Sequence, residues 1–78
     1  VKERARYSPS DVIKAVANFF KIRPIVLTGK KRLKNIVTAR HLAMYILRKD
    51  LNLSLTEIGR WFGGKDHTSV MHAIKKIK

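Results

Sequence analysis

Seventy-eight residues suffice for one domain, and with no cysteine among them a disulfide-stapled scaffold is excluded. Eighteen lysines and arginines stand against five acids, a net charge of +13, so the expected partner is a polyanion. The 45% share of hydrophobic residues argues against simple disorder and for a small core, of the size that supplies about 3 to 5 kcal/mol.

No run approaches the roughly 18 apolar residues of a membrane span, and Val1-Lys2-Glu3-Arg4 lacks the apolar stretch of a secretory leader. A soluble, cytoplasmic domain is expected. Because the chain opens on Val1 and not on an initiator methionine, a piece of a longer protein is also expected.

Apolar positions follow a helical period almost throughout, and no Asn-Gly or Asp-Gly hairpin signal separates them, so the fold class expected is all-α. Ser8 followed by Pro9 and Asp11 predicts a capping box at the start of the first helix, with Val12, Val16, Phe19 and Phe20 as its buried stripe. Pro24 is expected to stop that helix. Ile25, Val26 and Leu27 then form an apolar turn or a one-turn helix, and Thr28-Gly29 breaks the chain before Lys30-Lys31-Arg32-Leu33-Lys34, which reads as a basic loop.

Asn35 is the expected cap of a long helix reaching about Lys49 or Leu51, with Ile36, Ala39, Ala43, Ile46 and Leu47 on its buried side and Arg40, His41 and Arg48 mostly elsewhere. Ser54 and Glu57 predict a second capping box, opening a short helix to Phe62. Gly63-Gly64-Lys65 ends it. Asp66 caps a last helix whose apolar set is Val70, Ala73, Ile74 and Ile77, spaced i, i+3, i+4, i+7.

A short helix, a tight glycine turn and a capped amphipathic helix make a helix-turn-helix over about residues 54–77, in which the second helix enters the DNA major groove. Its first turn carries side chains suited to base edges. Asp66 accepts from an exocyclic amine, His67 donates or accepts, Thr68 brings a hydroxyl and a methyl, Ser69 brings a hydroxyl, and Lys65 stands beside the cap. The bland alternative is that Asp66, Thr68 and Ser69 merely cap the helix; for Asp66 both roles are compatible.

Lys30, Lys31, Arg32 and Lys34 suit a flexible arm, with Arg32 the candidate for a narrow A·T-rich minor groove. A solvated loop with only nonspecific phosphate attraction is the competing reading. Arg40, His41 and Arg48 along the long helix fit phosphate contacts that set register without reading sequence, although long cations are often only a solvated face.

Enzymatic readings are weak, and the domain is expected not to be an enzyme. Gly59 to Lys65 satisfies the spacing of a phosphate-cradling loop, but Asp66 replaces the Ser or Thr, no strand precedes it, and Trp61 and Phe62 read as core anchors. His67 and His72 lie about 140° apart around a helix and cannot share a metal, so no metal site is expected. Two rival partners are an anionic lipid surface attracted by the charge, and RNA. The first lacks a helix with a broad unburied apolar face, and for the second Phe19, Phe20, Trp61 and Phe62 fall on predicted core stripes instead of forming a stacking platform for unpaired bases.

The stretch Ser54 to Ile77, SLTEIGRWFGGKDHTSVMHAIKKI, resembles the DNA-binding signature of the bacterial DnaA family of chromosomal replication initiators. GGKDHTSVMHA is similar to that family's GGRDHTTV-x-HA pattern, and the likeness extends upstream through TARHLAMYILRKDL and the basic loop.

The resemblance implies a Trp-repressor-like helical unit that binds asymmetric origin boxes similar to TTATCCACA, one monomer per box, in a nucleoid-associated protein. It implies base contacts from Arg32, Lys65, Asp66, His67, Thr68 and Ser69, and backbone contacts from Arg40, His41, Arg48, Leu55, Thr56, His72 and Lys76. It further implies an upstream AAA+ module that binds ATP and mediates oligomerisation, and a linking helix that touches acidic phospholipids; no cofactor is expected in this domain itself. Four positions depart from the pattern: Ser69 for Thr, Thr38-Ala39 for Arg-Pro, His41 for the commoner Gln, and Thr56 for a frequent Pro.

Overall fold

The computed structural model describes residues 8–77, and every regular element among them is helical. In chain order these are α1 (Pro9–Phe19), α2 (Pro24–Leu27), α3 (Lys34–Lys49), α4 (Leu55–Trp61) and α5 (His67–Ile77). The basic N-terminal residues 1–7 and Lys78 lie outside the described residues, and with them the two ends of the single domain expected over 1–78. Among the described residues no helix is long and apolar enough to cross a membrane.

The start of α1 follows its sequence signal. Ser8 Oγ accepts from the Asp11 amide at 3.2 Å, and the Ser8 amide donates to Asp11 Oδ2 at 3.1 Å, so two otherwise orphaned N–H groups are satisfied reciprocally. The Ser8 amide first, and then the Ser8 hydroxyl, hold the Asp11 carboxyl below its ordinary pKa, with Lys14 adding a smaller pull.

Its end does not follow the signal. Pro24 does not stop α1; it opens α2. The helix finishes at Phe19 because Lys21 turns left-handed at φ 59°, letting the Ile22 amide donate to Ala17 O at 2.9 Å and the Lys21 amide to Asn18 O at 3.1 Å. That pair of bonds is a Schellman closure built without glycine.

The helix α3 sits at the centre and packs against each of the other four. Ala39 and Ala43, fully buried, let neighbouring helices approach closely, while Met44 and Leu47 fill the space between them. Ile13, Val16 and Ala17 of α1, Leu27 of α2, Ile58 and Phe62 around α4, and Val70, Ala73 and Ile74 of α5 complete the core.

Three expectations about burial and capping are corrected. Phe19 is 78% exposed and Trp61 39% exposed, so neither anchors the core; Ile13, Ala17 and Phe62 do. The cap of α3 is Leu33, which offers no side-chain bond, and Asn35 falls inside the first turn, with Lys34 already helical. Arg40 is the third. It is 5% exposed, the buried charge among the described residues, and does not lie on an outer face of α3.

Candidate nucleic-acid interface

The turn between α4 and α5 fixes the geometry of the site. Ser54 Oγ accepts from the Glu57 amide at 3.1 Å, which starts α4, and Phe62 drops into the core at its end. Gly59 O then accepts from three amides, those of Phe62 at 3.1 Å, Gly64 at 3.0 Å and Lys65 at 3.1 Å. Reversing the chain that tightly needs φ of 79° at Gly63 and 81° at Gly64.

Gly59 answers a separate demand: a Cβ there would stand 2.1 Å from Lys65 O, so α4 and the turn touch backbone to backbone. The Gly59–Lys65 segment is therefore a helix end folded on itself, with no open loop in which amides could cradle a phosphate. Among the described residues, no three His, Asp or Glu side chains group closely enough to hold a metal.

Beyond the turn, Asp66 Oδ1 accepts from the Thr68 amide at 3.0 Å and the Ser69 amide at 3.4 Å, capping α5 as its sequence predicts. With Val70, Ala73 and Ile74 buried, α5 turns Thr68, His72 and Lys75 outward at i, i+4 and i+7. Asp66, His67 and Ser69 are likewise exposed at its leading end.

A cleft of about 420 Å³ lies along one side of α5, bordered by Lys30 and Arg32 of the α2–α3 loop, Arg40 and His41 of α3, Lys65 of the turn and Ser69. Six candidates chosen singly from distant parts of the sequence thus meet in one place. Along the other side of α5, about 200° round the helix from Ser69 to Met71, a second groove of about 330 Å³ carries Arg48, Leu55, Lys49 and Lys75 around Tyr45 and Ile74. Two cationic margins therefore flank one exposed helix.

Lys49, Lys75 and Tyr45 escaped the reading of the sequence. For Lys75 a signal was present, since seven residues after Thr68 returns to the same face within about 20°. The remaining candidates lie outside both clefts: Lys31, Lys34, Thr56, His72 and Lys76 are each exposed.

The cations differ in what they do. Arg40 Nε donates to Leu27 O and its Nη2 to Lys31 O, both at 2.9 Å, so the side chain ties the end of α2 and the middle of the basic loop to α3. Burial, and then Arg32 nearby, push its pKa below the ordinary arginine value. Arg48 Nη1 donates to Leu53 O at 2.8 Å and braces the α3–α4 connection while staying exposed. His41 is half-buried and held below the ordinary histidine value by burial, with Lys76, Arg40 and Lys65 adding repulsion in that order.

Acidic groups are distributed oppositely. Asp11 and Asp50 border a groove between α1 and the far side of α3, where Ile46 lies about 200° round the helix from Arg48. Among the described residues, no carboxylate borders either cleft beside α5.

Residues 9–77 match the family described as the bacterial dnaA protein helix-turn-helix. The chain belongs to that DnaA family. Its relatives include the chromosomal replication initiator protein DnaA of Bdellovibrio bacteriovorus, 46% identical over 71 residues, which is 91% of this chain and 15% of that protein. The protein of the same name from Thermus thermophilus is 47% identical over 70 residues, 90% of this chain and 16% of that one. The Limosilactobacillus fermentum DnaA is 54% identical over 65 residues, 83% of this chain and 15% of that one. This chain therefore spans about 15% of the length of those DnaA relatives, and the matched helix-turn-helix family model takes in all five helices, α1 to α5.

Proposed function

We propose that this chain binds duplex DNA with sequence preference, α5 lying in the major groove with its first turn against base edges and Arg32 entering the neighbouring minor groove. The observation that carries this reading is an exposed helix face of mainly polar side chains, bordered on both sides by cations and, among the described residues, by no carboxylate. A helix laid in the major groove has one phosphate rail on each side, so the two margins match the two strands.

The relatives' name, chromosomal replication initiator, supports a role in starting chromosome replication. Within a longer protein, this unit recognises origin boxes similar to TTATCCACA, one copy per box, a reading that rests on the family resemblance of GGKDHTSVMHA. ATP binding, oligomerisation and any contact with acidic phospholipids belong, in this reading, to upstream parts of that longer protein.

Phosphate and base contacts differ in their salt dependence. If five to seven cations meet phosphates, log K falls with log salt at a slope of about −5 to −6, whereas each base contact contributes about 1 to 3 kcal/mol of discrimination. Anisotropy titrations of a TTATCCACA duplex and a scrambled one at several salt concentrations test both. Thr68→Ala is expected to lower the box-over-scramble ratio about 5- to 100-fold with the slope kept. Lys76→Ala is expected to weaken both duplexes alike and to flatten the slope by about 0.9. Equal affinity of the parent chain for the two duplexes would remove the sequence-reading assignment.

A further inference from the structure

We propose that the cleft between the α2–α3 loop, α3 and the start of α5 seats one phosphodiester of the bound duplex, and that His41 takes up a proton as that phosphate enters. The proposal rests on the duplex-binding reading above and adds to it a proton linkage at one named side chain.

The cleft has the composition of an anion seat. Lys30 and Arg32 border it from the loop and Lys65 from the turn, Ser69 offers a hydroxyl from α5, and among the described residues no carboxylate lines it. Its floor is apolar, made by Val37, Met44 and Ala73, which lowers the local dielectric and strengthens any charge pairing above it. Arg40 contributes charge, but two of its donors are committed to Leu27 O and Lys31 O. His41 is the group in this cleft whose charge can change near neutral pH.

In the free chain everything around His41 opposes the imidazolium. Partial burial does so most, followed by Lys76 from α5, Arg40 beside it on α3 and Lys65 from the turn; Lys30 and Arg32 of the loop share the cleft. A phosphodiester entering the cleft reverses this balance. It brings a negative charge within a few ångströms of the ring and offsets the surrounding cations, and both effects favour the protonated form.

The pH dependences of the free and bound chains then have opposite signs. Without DNA, the folded pKa of His41 lies below its unfolded value, so the unfolded chain binds more protons in that interval and stability falls as pH drops through it. With DNA, proton uptake tightens the complex as pH falls over the same interval. His67 and His72 lie exposed on α5, so the test resolves individual rings.

Imidazole resonances of the chain are followed by NMR from pH 5 to 8.5, free and bound to a TTATCCACA duplex at constant ionic strength, with duplex affinity measured over the same range. The expected result is that His41 titrates below the usual value of about 6.5 in the free chain and above it in the complex. Duplex affinity should rise about three- to tenfold from pH 8 to pH 6, and His41→Gln, which keeps a polar side chain but cannot titrate, should remove that share of the rise. Duplex binding with an unmoved His41 titration would overturn the proton linkage and leave the DNA-binding reading standing. Absence of duplex binding at every pH would remove both.

Discussion

Gly59→Ala is expected to leave much of the population unfolded at 25 °C, although alanine is the better helix former by about 1 kcal/mol. The gain in propensity is outweighed by a contact that no rotamer can relieve. The new Cβ would lie 2.1 Å from Lys65 O and 3.1 Å from Lys65 C, and both are backbone atoms. Lys65 cannot simply retreat, because its own amide and that of Gly64 donate to Gly59 O at 3.1 and 3.0 Å, so moving the turn away breaks the bonds that define it. The displacement also carries Asp66 and the start of α5 away from α4.

Overpacking against adaptable side chains costs about 1 to 3 kcal/mol, and a backbone clash lies at or above the upper end of that range. A domain of this size has about 3 to 5 kcal/mol to lose. Urea unfolding followed by circular dichroism measures the change, with Gly64→Ala as the control. A Cβ at Gly64 meets nothing within 4 Å, so that variant suffers only the strain of φ 81°, about 1 to 2 kcal/mol. Equal damage from the two substitutions, or a Gly59→Ala chain as stable as its parent, would refute the close-approach argument.

What could be read in the sequence was whatever a few neighbouring residues decide. The Ser8–Asp11 box, the Asp66 cap and the paired glycines act within four residues, and each forms as its pattern predicts; of the box expected from Ser54 and Glu57 only the Ser54 half forms, with no bond from the Ser54 amide to the Glu57 side chain. Two failures share a cause, the dependence on partners distant in sequence. Periodicity set Phe19 on a stripe, but none of the other described residues lies over that end of α1, and Trp61 sits on the edge of α4 where the core has already closed around Phe62. The end of α1 was missed because lysine is an uncommon left-handed residue, so no glycine marked the Lys21 closure.

The importance of Gly59 depends on the Lys65 carbonyl folding back on it, which no local pattern announces. The candidate site shows the same division. Lys30, Arg32, His41, Lys65 and Ser69 could be chosen one at a time by charge and position, while their meeting in one cleft is a property of how the loop, α3 and α5 pack. Arg40 is different, because its signal was present and was read the wrong way. It falls in phase with Ile36, Ala43 and Leu47 at i, i+4, i+7 and i+11, so an arginine stood in the middle of the buried stripe.

Arg40→Lys is expected to destabilise the chain by about 2 kcal/mol and to weaken duplex binding, even though the charge is retained. The guanidinium reaches two carbonyls at once, Leu27 O through Nε and Lys31 O through Nη2, because its donors form a planar fork; a lysine ammonium is a single point and cannot satisfy both with the same stem. Each buried carbonyl left without its donor costs about 1 to 3 kcal/mol. Those carbonyls stand at the end of α2 and between Lys30 and Arg32, so losing the tie frees the loop before it reaches any DNA.

A direct phosphate role for Arg40 predicts the reverse pattern. Lysine would then restore most of the affinity and leave stability unchanged, and Arg40→Met would flatten the salt slope by about 0.9 without loosening the loop. Unfolding midpoints, hydrogen exchange of amides 28–33 and duplex titrations on both variants separate the two cases. The structure favours the tie: Arg40 is 5% exposed, whereas Arg32 and Lys30 beside it are exposed and positioned to meet an anion that Arg40 itself reaches least. An Arg40→Lys chain with parental stability and unchanged loop protection would reassign Arg40 to the DNA backbone.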